Sequence, residues 1–260
     1  LIIMATAYQP KIVTDGLVLC LDAADIKSNS GSGSSTLNNR ALTNTTASIV
    51  NGTSSSKIVS LDGTNDYISV VNSETNTALS PAVATFSIWC RPVHWSGTGD
   101  YASSLISRGN YNTAGGFFIH LKKSGNPSYP VAQATFSHST TTSYTYNTAS
   151  YATLNGWDNW VNVTVTVDAN IKVYVDGVLQ STTPRNVSTI IYGTGNIGSG
   201  GDTNLVICST LSYAPTLDQG TGGGWRPYTG DFSSSHMYNR VLTASEVLQN
   251  FNATKSRFEL

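Results

Sequence analysis

The chain contains three glutamates, Glu74, Glu246 and Glu259. Hydrolysing a glycosidic bond takes an acid and a second carboxylate on one face, about 5–5.5 Å apart in a retaining enzyme. Glu74 stands alone in a Ser/Thr/Asn turn, Glu246 fits a helix cap and Glu259 is near-terminal, so no such pair forms. Asp22 and Asp25 read more simply as a strand end. The histidines His94, His120, His138 and His236 are isolated from one another and from cysteine, without zinc-ligand spacing. Cys20, Cys90 and Cys208 lie far apart with no CxxC. An odd number suits a reduced compartment or buried, inert thiols better than a disulfide scaffold. There is no Gly-x-Ser-x-Gly elbow. Gly193–Gly198 imitates a dinucleotide fingerprint, but no helix follows it, so it reads as a glycine turn.

Aromatics in loop-like stretches carry the binding chemistry instead. Trp95, Tyr101 and Tyr111 fall in one stretch, Tyr144, Tyr146 and Tyr151 in a second, and Trp225 and Tyr228 in a third. Their faces stack on sugar C–H surfaces, and Tyr and Trp also anchor protein interfaces. The expected binding residues are Trp95, Tyr101, Tyr144, Tyr146, Trp225 and Tyr228, whereas Trp89 and Trp160 are expected to pack. Charge excludes other partners. With 14 Lys+Arg scattered against 15 Asp+Glu, no basic patch exists to displace counterions from a nucleic acid or to dock on anionic lipid. No apolar run approaches the roughly 20 residues of a membrane helix, and Leu1–Ala7 lacks the basic flank of a signal peptide. Met4-Ala5 resembles a translation start, which leaves residues 1–3 as upstream frame.

The elements that position these residues are strands. Trp160–Val167 alternates four valines with Asn and Thr, and Thr85–Arg91 puts Phe86, Ile88 and Cys90 on one face. Ile171–Asp176 repeats the pattern and runs into Asp176-Gly177, a type I′ hairpin signal leading to Val178–Gln180. Further strands are expected at Gly16–Asp22, Lys57–Leu61, Asp66–Val71, Phe117–Leu121, Val131–Ser137, Thr189–Ile191 and Asp231–Tyr238. One helix is expected over Ala244–Asn252. Thr243 and Glu246 form its capping box, and Leu242 and Val247 its hydrophobic staple. Asn29–Thr36, Ser137–Ala152 and Gly193–Tyr228 resist strand assignment. With 34 Ser, 33 Thr and 39% hydrophobic residues, the composition supports a packed core under a hydroxyl-rich surface, so five Asn-x-Ser/Thr sequons follow from composition alone. About ten short strands and one late helix predict an all-β, two-sheet antiparallel sandwich. The expected division is an N-terminal arm over 1–14 and one domain over 15–260.

The order of the segments resembles the concanavalin A-like lectin/glucanase superfamily, in its laminin-G-like branch. Gly16–Asp25 resembles its first strand, and Leu61-Asp62-Gly63-Thr64-Asn65-Asp66-Tyr67-Ile68 its "F-D-G-x-x-D-Y-I" segment. Phe86–Cys90 resembles the aromatic strand that follows. Trp160–Asp168 with Val173–Val178 resembles the "W-x-x-V … Y-V-D-G" hairpin, and Gly230–Phe232 with Tyr238–Val247 its closing strand and helix. The resemblance implies a jelly-roll fold. It also implies a calcium ion at the sandwich rim, for which Asp62, Asn65, Asp66 and Asp231 are the oxygen donors, although the same residues serve equally as turn formers. No other cofactor is implied. The tail Leu248–Phe258 is similar to endings of laminin-G-like proteins of tailed phages. This implies a non-enzymatic virion structural protein, as head decoration, fibre or tail-associated component. Its partners would be other virion proteins and its own copies, with host polysaccharide as a surface ligand. The alternative is a carbohydrate-binding module without a virion role.

Overall fold

The computed structural model describes residues 11–42, 45–70, 76–93, 103–108, 116–122, 130–137, 146–148, 152–154, 156–185, 189–190, 192, 204–209 and 228–259. In chain order the strands open with β1 (Leu17–Asp22), β2 (Thr36–Asn38), β3 (Thr46–Val50), β4 (Thr53–Ser54), β5 (Val59–Asp62) and β6 (Tyr67–Val70). The middle of the chain supplies β7 (Ala84–Pro92), β8 (Ser104–Arg108), β9 (Phe117–Lys122), β10 (Val131–Ser137), β11 (Tyr146–Thr148) and β12 (Ala152–Thr153). Then come β13 (Val161–Val167), β14 (Asn170–Val175), β15 (Val178–Pro184), β16 (Leu205–Ile207) and β17 (Thr229–Tyr238), before helix α1 (Ala244–Thr254). A 3₁₀ turn, Lys255–Phe258, continues the helix.

The strands form two antiparallel sheets. The first runs β15-β14-β13-β7-β17-β5-β4, with β1 also paired to β17, and the second runs β11-β10-β9-β8-β16-β6-β3-β2, with β12 on β10. Alternation decides which side chains face inward. On β13 the valines 161, 163, 165 and 167 enter the core between the sheets, opposite Cys90, Ile88, Phe86 and Ala84 of β7. From the second sheet Phe117 and Phe136 meet Phe86, with ring centroids 4.7 and 6.3 Å away. Asp176 and Gly177 both take positive φ, 49° and 79°, as the hairpin turn requires. All three cysteines are buried and free.

The outer face of the first sheet is also covered. Helix α1 starts with the expected capping box, Thr243 accepting from the Glu246 amide and Glu246 reaching back to the Thr243 amide. Leu242 and Val247 pack with Val13, Tyr174 and Tyr238 in a second small core beneath the helix. The outward polar residues of β7 and β13 bond to one another, Asn162 and Thr164 both donating to Ser87 Oγ at 3.1 and 2.9 Å. This mutual bonding satisfies groups that would otherwise be costly to bury.

Two expectations about strands need correction. Residues 189–190 form no strand: the Ile190 amide donates to the Ala82 carbonyl and Arg185 takes the Thr189 carbonyl, so neither group is left for a ladder. The stretches that resisted assignment nevertheless contribute β11 and β16 and the start of β2, and β3, β4 and β8 were not foreseen at all. In β8 a register shift between Ser104 and Ile106 sends Leu105 and Ile106 both inward, which erases the alternation.

Candidate functional site

The oxygen donors expected at the rim fall into two groups. Asp62 ends β5, where its carboxylate accepts the Thr64 amide at 2.7 Å, while Asp66 accepts the Asp62 amide at 2.6 Å. Burial pushes the Asp66 carboxyl above its usual value, and the neighbouring Asp62 charge adds to this against the stabilising amide bond. The Asn65 carbonyl accepts from the Asn51 side chain. Asp231 turns elsewhere. It accepts from Ser60 Oγ at 2.7 Å and from the Arg91 guanidinium, whose Nε lies 2.8 Å away. Calcium requires six to eight converging oxygens. Asp231 is already paired with an arginine, and one oxygen each of Asp62 and Asp66 accepts a backbone amide, so the four donors do not present a converging set for the ion. Among the described residues no group of three or more His, Cys, Asp or Glu is placed to hold a metal.

Other carboxylates serve the scaffold in the same way. Asp22 pairs with Arg257, Asp25 with Arg40, and Glu246 with Arg240. The Arg240 hydrogen bonds hold Glu246 down to about 2, with help from the Thr243 amide. Asp168 and Asp176 accept the Asn170 and Asn162 amides. A general acid needs a raised pKa and an open path to substrate, and these groups are tied into turns, caps and ion pairs.

Of the expected binding aromatics, Trp95, Tyr101, Tyr144 and Trp225 lie outside the described residues, as do Tyr111 and Tyr151. Tyr146 belongs to β11 by its backbone. Tyr228 is corrected: it is a core residue, 0% exposed, with its hydroxyl donating to the Asp231 carbonyl at 3.2 Å. Gly230 makes this possible. Its φ is +139°, and a Cβ there would stand 2.8 Å from the Tyr228 oxygen and 2.2 Å from the Arg91 carbonyl. Trp89 packs as expected, buried, stacked on Phe258 at 4.1 Å and donating from Nε1 to Thr254 Oγ1 at 2.9 Å. Trp160 is half-buried against Phe258, with Arg91 5.8 Å above its ring.

A different set of groups converges on the outer face of the second sheet. Ser104, His120 and Gln133 stand at paired positions of β8, β9 and β10, forming one row across three strands. The His120 ring nitrogen Nε2 meets Gln133 Oε1 at 3.1 Å, the donor role falling to the Nε2–H tautomer. Phe118 lies two residues along β9 on the same face, opposite Thr135 and Ser107, and Lys122 lies two residues the other way. The row is 1–6% exposed, and the Ser104 hydroxyl has no hydrogen-bond partner. A hydroxyl, an imidazole and a carboxamide are uncharged, and each of them both donates and accepts. Such groups match sugar hydroxyls and C–H faces, but the row and Phe118, 8% exposed, are closed to a ligand in this structure. Sequence reasoning set His120 aside as an isolated histidine and passed over Gln133. Two strands read correctly give the outward positions, 118, 120 and 122 on one and 133 and 135 on the other, but not the register that pairs them.

Comparison with known proteins bears on the fold. The binding domain of botulinum neurotoxin serotype D superposes with a TM-score of 0.62 at 12% identity, over 93% of this chain and 52% of that one. A botulinum neurotoxin type C structure, described as dependent on two ganglioside molecules for cell entry, gives 0.60 at 14% identity, over 93% and 52%. The binding domain of Paraclostridial Mosquitocidal Protein 1 gives 0.59 at 16%, over 92% and 52%. The chain thus spans about half the length of these neighbours, and the likeness is one of fold. No curated protein sequence matches significantly. A laminin-G family model, described as the concanavalin A-like lectin/glucanases superfamily, matches residues 62–248, from the Asp62 turn through β17 into α1. The chain therefore belongs to the laminin-G-like branch of the concanavalin A-like lectin/glucanases superfamily.

Proposed function

We propose that this domain is a non-enzymatic, lectin-like binding module that takes carbohydrate through the outer face of β8–β10 and works on the virion surface of a tailed bacteriophage. The binding reading is supported by the lectin-like fold and by the Ser104–His120–Gln133 row beside Phe118, which is buried in this structure and must be uncovered before a sugar can reach it. The non-enzymatic part is supported by the employment of Asp22, Asp231 and Glu246 in ion pairs and caps, and by the backbone amides that Asp66 and Asp176, both raised by burial, accept. The virion part rests on the likeness of Leu248–Phe258 to phage laminin-G-like endings, and on a surface with few charges that can pack against neighbouring subunits without burying unpaired ones. Partners on this reading are other virion proteins and further copies of the chain.

A glycan array probed with and without calcium tests the binding. Host-type polysaccharide fragments bind irrespective of calcium, and Gln133→Ala weakens them about tenfold or more, the usual consequence of stranding a buried partner. An array without hits sinks the carbohydrate reading. Imaging and mass spectrometry of purified particles test the setting: the protein is found as repeated copies on head or tail. Recovery only as a free monomer favours a binding module without a virion role.

A further inference from the structure

We propose that the turn Lys255–Phe258 is an acid-released clasp over the outer face of the first sheet, with His236 beneath it as the trigger. The clasp is attached through Arg257 and Phe258, Arg257 also reaching Ser233 Oγ of β17 at 3.4 Å. Arg257 chelates Asp22 of β1 through both terminal nitrogens, at 2.8 and 2.7 Å. Phe258 lies between two tryptophans, 4.1 Å from the Trp89 ring and 4.7 Å from that of Trp160. Helix α1 is anchored separately, by Thr254 to Trp89, by Asn250 to Tyr238 and Val13, and by its cap. The clasp can therefore lift without the helix.

His236 occupies the outward face of β17 under this arrangement, 6% exposed, paired across the strands with Cys20 of β1 and Ser87 of β7. Asp22, two residues from Cys20 on the same face of β1, is its diagonal neighbour, and Arg257 of the clasp sits on Asp22; these two charges act on the ring. Cys20 stays a neutral thiol, pushed up to about 12 mainly by burial. Ser87, opposite it on β7, carries no charge, and Tyr238, two residues along β17 on the same face, is a phenol pushed up by burial and therefore neutral. Asp22 resists burial through the hydrogen bonds and charge of Arg257, which hold its carboxyl below the usual value. Closed, the site thus balances one anion against one cation around a neutral ring.

A proton on His236 adds a second cation to that single carboxylate. Burial opposes it and Arg257 repels it, so the ring is held down to about 4 while the clasp is shut, with Asp22 only partly compensating. Lifting the clasp removes the guanidinium, admits water, and leaves Asp22 to pair with the imidazolium. The proton is therefore bound more tightly in the open form. The closed form is fully favoured above the ordinary histidine value near 6.5 and loses ground as pH falls from there towards 4. One proton taken up on opening shifts the closed-to-open ratio by at most tenfold per pH unit in that window. Opening exposes the rings of Trp160 and Phe258 and removes Phe258 from Trp89, which stays against Phe251 of α1.

Hydrogen exchange of the full chain from pH 7.5 to 4.5, corrected for the intrinsic pH dependence of exchange, reads the clasp directly. Far-UV circular dichroism follows the sandwich in parallel. Amides of 255–259 lose at least tenfold protection by pH 4.5, while those of β7, β17 and the first turns of α1 keep theirs, and tryptophan fluorescence shifts red. His236→Gln abolishes this response. Should that variant fail to fold, Arg257→Gln serves instead: its clasp is open at pH 7.5 and insensitive to acid. Unchanged protection in the wild-type chain, the same acid response in His236→Gln, or loss of the whole sandwich together with the clasp overturns the proposal.

Discussion

At the scale of single residues, the structure separates side chains that hold the fold from those kept against its interest. Trp89 belongs to the first kind: its ring is sealed under α1 and its one donor is used. Trp89→Phe keeps the stack and removes the bond to Thr254, whose hydroxyl still donates to the Asn250 carbonyl, for a loss of about 1 kcal/mol in urea unfolding. Trp89→Ala costs roughly 3–5 kcal/mol by leaving a cavity under the helix. Gly230→Ala places a methyl on the Arg91 carbonyl at a φ of +139°, and we expect little folded protein from it. Ser104 belongs to the second kind. Its hydroxyl is buried without a partner, so Ser104→Ala raises stability by on the order of 1 kcal/mol while weakening glycan binding. A fall in stability would show that the hydroxyl has a structural role after all.

At the scale of elements, caps and clasps give distinct acid signatures. Thr243→Ala removes the α1 cap and costs about 1 kcal/mol. Glu246 is held down to about 2, so its stabilising effect is complete above its ordinary value near 4.5 and fades only below it. His236 acts earlier, since its buried neutral form loses stability from about 6.5 down to about 4. Urea midpoints measured between pH 7 and 5 therefore fall in the wild-type chain and stay level in His236→Gln. The cap and staple of α1 were legible because all four residues lie within six positions of the sequence. The β13–β14 hairpin was legible for the same reason, with strict alternation meeting Asp-Gly. β8 was not, because a bulge breaks its period, and β16 was not, because three residues give no period to read. Tyr228 misled for a physical reason: it follows a glycine-rich run that reads as loop, yet Gly230 lets the strand close over its ring. The Ser104–His120–Gln133 row could not be assembled from sequence, since 29 positions separate its ends and only strand register aligns them.

At the scale of the whole molecule, two sheets enclose one core, and the outer face of each has its own occupant: the C-terminal helix and turn on the first, the polar row on the second. The rim carboxylates are consumed by turns and by Arg91. Millimolar calcium accordingly leaves the thermal midpoint unchanged within about a degree, and a rise of several degrees would restore the ion to the Asp62–Asp66 rim. The central claim is that carbohydrate is taken through β8–β10, and hydrogen exchange with and without a bound glycan tests it most directly. The account predicts new protection in 104–108, 117–122 and 131–137, lost in Gln133→Ala. Protection confined to the rim at 60–66 and 228–231, or to the Trp160 region, would contradict it.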